Sequence, residues 1–276
     1  MEVVLQKIGG RGHMKVIKVL FVGDVQGQTN VSKLAKVIPQ MRNSENLDCV
    51  IINGENSADG NGITPKSANM LFNDVGADVI TTGNHAFKRK EMDTMFNERQ
   101  EVIRPANYGE PLGYCPGRGV CILDFGHCQL AVINIMGASY MPPCDNPFKC
   151  IDELLTDIST PNIIVDFHAE STAEKKAMGF YLSQRVSAVF GTHTHVQTAD
   201  ERILDNHTAF ISDVGMVGAT DSVIGAQKQA AIDKLIGYYP QKYKFADGET
   251  EFNAVIVKID ASNGCTTSLK RINYKI

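Results

Sequence analysis

The sequence predicts an α/β fold with mixed sheets, built as one domain, and three observations predict it. The first third alternates short hydrophobic runs with helix-period segments in the order β-α-β-α-β, which favours parallel strands joined by crossover helices. The middle changes character: "VCILDFG" and "QLAVINIMG" are apolar runs joined through Gly126, His127 and Cys128, as in a hairpin. No internal repeat, low-complexity tract or Pro/Ser linker interrupts the chain, and no shift of composition marks a second domain.

Taken in order, "VIKVLFVGD" (Val16 to Asp24) is a strand rich in Val and Ile, closed by Gly23 and Asp24. From Thr29 onward, Val31, Leu34, Ala35, Ile38 and Met41 fall on one helical stripe. "CVIIN" is a second buried strand. "TPKSANMLFNDVG" has Thr64 as N-cap, Pro65 at the first helical position and Gly76 after the end. "DVITTG" is a third strand. After the hairpin come a helix around Pro147 to Ile158, the strand "NIIVDFHAE" and a helix in "STAEKKAMGFYLSQR", where Ser171 and Glu174 have capping-box spacing. The apolar "RVSAVF" runs into "GTHTH". "TAFISDVG", a helix from about Ser222 to Ile236, and the strands "EFNAVIVKID" and "TTSLKRINYKI" complete the chain. Residues 1–13, which run into "GRGHM", read as an expression tag or disordered segment before a native start at Met14.

The 276 residues are 43% hydrophobic, ample for a sizeable core. Lys plus Arg (27) nearly balances Asp plus Glu (31), which argues against a protein that coats nucleic acid. No apolar run approaches the ~20 residues of a membrane span, and the first residues do not resemble a secretory leader. The seven cysteines are odd in number and form no CxxC pair, so they read as reduced thiols of a cytoplasmic protein.

Several strands end in short polar clusters that contain metal-ligand types. "VGDVQG" brings Asp24, "NGENSADG" brings Glu55 and Asn56, and "TTGNHAF" brings Asn84 and His85. "VDFHAE" brings His168, and "GTHTH" brings His193 and His195, which alternation would turn to one side of an extended segment. Each has an ordinary reading alone: a turn Asp, an Asn tolerant of left-handed backbone, a hydrogen-bonded core histidine. Their joint occurrence at successive strand ends points to a metal site, because ligands of parallel α/β sheets gather at the carboxyl ends of strands. Imidazoles mixed with hard oxygen ligands suit Mn, Fe or Zn, and the absence of thiolates argues against a closed structural zinc. Seven groups are too many for one tetrahedral ion and fit two ions roughly 3.5–4 Å apart.

The ordered set GD…GEN…GNH…H…GxHxH resembles the calcineurin-like metallophosphoesterases, and more narrowly their YmdB-like bacterial branch of 2',3'-cyclic-nucleotide phosphodiesterases. The likeness runs from Met14 to the C-terminus; "FVGDVQG", "IINGENSADGNGIT", "TTGNHAF" and "DFHAE" are its specific stretches. Gln26 stands where the wider superfamily has a histidine, Glu55 with Asn56 replaces its bridging-Asp region, and Thr192 lengthens its GHxH by one residue. These departures fit the YmdB-like branch and weigh against a protein Ser/Thr phosphatase. The resemblance implies a four-layer α/β/β/α sandwich with two transition-metal ions, Fe or Mn before Zn. It places Asp24, Glu55, Asn56 and His195 around one ion, with Glu55 bridging, and Asn84, His168 and His193 around the other. It makes His85 the general acid.

Water bridging two cations would ionise near neutral pH and attack phosphorus in line, with His85 protonating the leaving alkoxide. The expected substrate is a cyclic nucleotide or related small phosphoester. A phosphomonoesterase or nuclease with the same centre, and a regulatory protein with vestigial catalysis, stay open as alternatives. Asp213 has either a substrate-loop or a turn role, and Asp166 shares a strand face with His168 and could orient it. "FKRK" (Phe87 to Lys90) reads as a solvated face, and His127 and His207 as turn residues. Specificity would lie in the loops Tyr108 to Arg118 and Ala138 to Phe148, and an exposed edge strand would permit homo-oligomers.

Overall fold

A computed structural model describes residues 5–7, 15–109, 114–237 and 244–276. In chain order the first half contains β1 (Leu5–Lys7), β2 (Val16–Val22), β3 (Asp24–Val25), α1 (Gly27–Ser44), β4 (Cys49–Asn53) and α2 (Pro65–Met70). A π-helical turn, Leu71–Val75, extends α2 and leads to β5 (Val79–Thr81) and α3 (Met92–Glu98). Then follow β6 (Val120–Asp124), β7 (Gln129–Met136), α4 (Pro147–Asp157), β8 (Ile163–His168), α5 (Thr172–Tyr181) and β9 (Ala188–Thr192). The chain ends with β10 (Arg202–Leu204), β11 (Thr208–Ile211), β12 (Met216–Ala219), α6 (Lys228–Gly237), β13 (Thr250–Asp260) and β14 (Thr266–Lys275).

The strands form two mixed sheets. One runs β3-β12-β13-β2-β4-β5, with β14 paired to β13; the other runs β1-β6-β7-β8-β9-β11-β10. Strand alternation builds the layers. Ile17, Val19 and Phe21 of β2 face the second sheet and meet Val132, Ile164 and Phe190, with the Phe21 and Phe190 ring centroids 5.2 Å apart. Leu20 and Val22 of the same strand point the other way, onto Val31, Leu34 and Ile38 of α1 and Leu71 after α2. The outer face of the second sheet, with Val165 and Phe167, packs on Ile151 of α4 and Met178 of α5. Each of these fully buried side chains stabilises by roughly 1.5–3 kcal/mol. The result is the four-layer α/β/β/α sandwich of the sequence-based expectation.

Parallel pairing puts the carboxyl ends of β2, β4 and β5 side by side, and likewise those of β8 and β9. The two ends meet through polar side chains. Asn53 of β4 donates to Asp166 Oδ2 of β8 at 3.0 Å, and Thr81 of β5 donates to the same oxygen at 2.5 Å. These bonds lock the sheets together directly beneath the polar clusters.

Two expectations change. α6 begins at Lys228 rather than near Ser222, because Val223 and Ala226 instead pair across a tight turn. The capping box of α5 is half formed: Ser171 Oγ accepts from Glu174 N–H, but the Glu174 carboxylate accepts from Ala138 and Ser139 N–H instead. Within the segment read as a tag, Leu5–Lys7 pairs in parallel with Ile122–Asp124; its other residues lie outside the described ones. Among the described residues, no helix is long and apolar enough to cross a membrane.

Candidate metal centre

All eight side chains singled out in the sequence converge at these strand ends. Glu55, His168 and His193 offer ligand atoms that all lie within 4.8 Å of one another. His168 Nε2 is 3.2 Å from Glu55 Oε2, 3.0 Å from Asn84 Oδ1 and 3.1 Å from His193 Nδ1. Asp24 lies alongside, its Oδ2 accepting from His193 N–H at 3.1 Å and its Oδ1 3.7 Å from His195 Nε2. Asn56 donates to Glu55 Oε1 at 3.0 Å. His85 contacts Glu55 twice, by its backbone N–H to Oε2 at 3.2 Å and by Nδ1 to Oε1 at 3.1 Å.

Each histidine of the cluster ties one ring nitrogen to an oxygen and turns the other inward. His168 Nδ1 is 2.9 Å from Thr192 Oγ1. The Thr192 hydroxyl itself donates to Asp166 Oδ1 at 2.7 Å, so its oxygen accepts the Nδ1 proton and Nε2 is the nitrogen turned inward. Asp166 therefore orients His168 through Thr192, an intermediary that strand alternation could not reveal. His193 Nε2 meets Glu170 Oε2 at 3.0 Å, and His195 Nδ1 donates to the carbonyl of Ile224 at 3.0 Å. Outer partners of this kind fix tautomer and ring direction in metal-binding histidines. The pair on "GTHTH" reaches this geometry by a route other than strand alternation. β9 stops at Thr192, and His193 (φ 97°) and His195 (φ 66°) both take left-handed backbone that bends the chain over the site.

Electrostatics complete the picture. Burial would raise the Glu55 carboxyl, but the charge of His168 and the contact with His85 outweigh it and hold Glu55 well below the carboxylate range. Burial is likewise overcome at Asp24, which His195 holds down. Burial and the neighbouring His168 depress His193 to about 3, so it is neutral at pH 7, as a ligand must be. His195 goes the other way: Asp24 overcomes its burial and raises it to about 9. Burial pushes Asp166 up to about 6.

The donor set fits a cation. Asp24 Oδ1 and Asn56 Oδ1 are buried without a hydrogen-bond partner, and among the described residues no Lys or Arg pairs with the ionised carboxylates of Asp24 and Glu55. Gly83 keeps the space open, since a Cβ there would stand 2.2 Å from His168 Nε2 and 2.3 Å from Glu55 Oε2. Gly83→Ala is expected to abolish metal uptake and lower the melting temperature, as read by elemental analysis and calorimetry.

Other candidates resolve simply. Arg89 of "FKRK" is not free to steer a phosphate, because its guanidinium donates to the carbonyls of Asp59, Gly60 and Asn61. Gln26 is buried, with its Nε2 3.3 Å from His195 Nε2. Sequence reasoning missed Glu170, although it lies two residues beyond His168, and Thr192. Tyr108 donates weakly to Gly83 O at 3.4 Å; the remainder of its loop includes 110–113, outside the described residues.

Two stacked mixed sheets with imidazoles, carboxylates and amides at their joined strand ends define the calcineurin-like metallophosphoesterase class of fold. Within that class the chain belongs to the YmdB-like protein family, whose model matches residues 20–272. It is 40% identical over 258 residues to the 2',3'-cyclic-nucleotide 2'-phosphodiesterase of Bacillus subtilis, covering 93% of this chain and 96% of that one. A crystal structure of a Mycoplasma pneumoniae phosphatase superposes with a TM-score of 0.89 at 31% identity, covering 95% of both chains. A Thermus thermophilus protein does so with a TM-score of 0.87 at 34% identity, covering 94% of this chain and 99% of the other.

Proposed function

We propose that the chain is a phosphodiesterase that hydrolyses 2',3'-cyclic nucleotides or related small phosphoesters at a two-metal centre, residues 14–276 forming its single catalytic domain. One observation carries the reading: buried oxygens without partners at Asp24 and Asn56 adjoin Glu55, His168 and His193, whose ligand atoms all lie within 4.8 Å of one another. In the arrangement proposed, Asp24, Glu55, Asn56 and His195 hold one ion and Asn84, His168 and His193 the other, with Glu55 shared. Oxygen and imidazole donors without thiolate favour Fe or Mn, with Zn third. The ions, when bound, supply Lewis-acid charge neutralisation and an acidified water.

The chain's own residues do the rest. Glu55 and Asp24 stay ionised and neutralise positive charge. Thr192, Glu170 and the Ile224 carbonyl each engage one ring nitrogen of a histidine, so that the other nitrogen of each ring turns inward. His85 has Nδ1 engaged by Glu55, so Nε2 is the nitrogen left to protonate a leaving alkoxide. The substrate class is supported by the name of the Bacillus subtilis relative. All seven cysteines are free thiols, which supports the cytoplasm as the compartment.

Elemental analysis beside a substrate panel tests this reading. About two transition-metal ions per chain are expected, with Mn²⁺-supported turnover of 2',3'-cyclic AMP and bis-p-nitrophenyl phosphate above that of p-nitrophenyl phosphate. Preference for the monoester would move the activity to a phosphomonoesterase. A metal-free, inactive protein that Mn²⁺ does not rescue would overturn the reading altogether.

A further inference from the structure

The corner that carries His193 and His195 is gripped from behind by a buried ion pair that belongs to no ligand set. Thr194 sits between the two left-handed histidines. Its N–H donates to Asp213 Oδ2 at 3.0 Å and its hydroxyl donates to the same oxygen at 2.6 Å. Lys175 Nζ, from α5, meets that oxygen at 2.7 Å and Thr194 Oγ1 at 3.2 Å. Asp213 Oδ1 in turn accepts from Gly215 N–H at 2.7 Å. Asp213 is 1% exposed and Lys175 2% exposed.

Such a pair is a poor way to stabilise a fold, because the cost of desolvating both charges rivals their attraction, and apolar residues of similar volume do as well or better. A buried lysine needs a use. Here the use is geometric: two adjacent donors of one residue are drawn onto one carboxylate oxygen at the point where the backbone is bent against its preference. Non-glycine residues hold such conformations only where the surroundings over-determine them. Gly191 lets the clamp close up, for a Cβ there would lie 1.8 Å from Ser212 O and 3.1 Å from Lys175 Cδ.

We propose that Lys175 and Asp213 are positioning residues that, through Thr194, fix the His193–Thr194–His195 corner so that both imidazoles face the centre. The proposal rests on the two-metal reading for what the imidazoles hold, but not for how they are held. Three variants test it. Thr194→Val deletes the hydroxyl and keeps the backbone bond, Thr194→Ser restores the hydroxyl, and Lys175→Met with Asp213→Asn removes both charges without leaving one unpaired. Two readouts are taken: Mn²⁺ affinity by chelator competition, and the ¹⁵N ring resonances of the histidines in metal-free protein.

In Thr194→Val and the double variant, Mn²⁺ affinity is expected to fall about 10–100-fold, the usual effect of losing an outer partner. The His193 and His195 ring signals should move while His168, held by Thr192, stays in place. Thr194→Ser should return both readouts to the wild-type values. Cooperatively folded Thr194→Val and double variants with wild-type affinity and ring signals would overturn the proposal. If wild-type protein takes up no Mn²⁺, the two-metal reading fails, and the ring spectra alone still decide the corner: displaced signals uphold it, unmoved ones refute it.

Discussion

Glu55→Gln is expected to leave a folded protein that has lost its metal and its turnover together. The carboxylate is fully buried and held ionised against its burial. Its two oxygens face different partners: Oε2 lies 3.2 Å from both His168 Nε2 and His85 N–H, while Oε1 lies 3.1 Å from His85 Nδ1 and 3.0 Å from Asn56 Nδ2. Glutamine keeps the volume, so the surrounding packing persists. It removes the charge that a cation needs, and it points an amide N–H₂ at groups that are themselves donors. Losing an outer-shell partner typically costs 10–100-fold in metal affinity, and losing a shared ligand should cost at least the upper end of that range. Elemental analysis of the purified variant, run beside hydrolysis of 2',3'-cyclic AMP, checks both halves. Full metal content in the variant would remove Glu55 from the position between the ions.

Much of the fold was legible because it follows from local rules. The Val- and Ile-rich "VIKVLFVGD" and the apolar "CVIIN" made the central strands readable, and Thr64–Pro65 marked the start of α2, where Thr64 Oγ1 accepts from Ser67 N–H. The polar strand ends were legible for a topological reason: parallel strands deliver their carboxyl ends to one edge, so residues far apart in sequence were bound to meet. What stayed hidden depends on partners distant in the chain. Glu174 looked like half of a capping box, but its carboxylate serves a loop 35 residues away. Nothing in the sequence singles out Lys175 within its helix, and only the fold shows it facing Asp213, 38 positions on. The short strands β1, β10 and β12 carry too few residues for periodicity to declare them.

The same contrast separates ligand types from ligand geometry. Residue types told which side chains could bind a cation, yet nothing in "GTHTH" says that both histidines leave the strand in left-handed backbone. That bend is set by Asp213, Lys175 and the close approach at Gly191. Chemistry is therefore written in the strand ends, and aim is written in the elements packed behind them.

His85→Ala should behave in the opposite way to Glu55→Gln, keeping its metal and losing its turnover by ~10²–10⁴-fold. The imidazole is partly exposed, at 25%, and stands outside the tight group of Glu55, His168 and His193. The backbone N–H of residue 85 donates to Glu55 Oε2 whatever the side chain, so Glu55 retains a donor after truncation. What disappears is the nitrogen beyond Nδ1, the one not occupied by Glu55. The size of the loss should then follow the leaving group. Opening 2',3'-cyclic AMP expels a ribose alkoxide, which needs a proton, whereas bis-p-nitrophenyl phosphate expels a phenolate that leaves unaided. A general acid at His85 thus predicts a far larger deficit for the cyclic nucleotide than for the nitrophenyl diester. Equal deficits with both substrates, at unchanged metal content, would instead assign His85 to holding Glu55 in place.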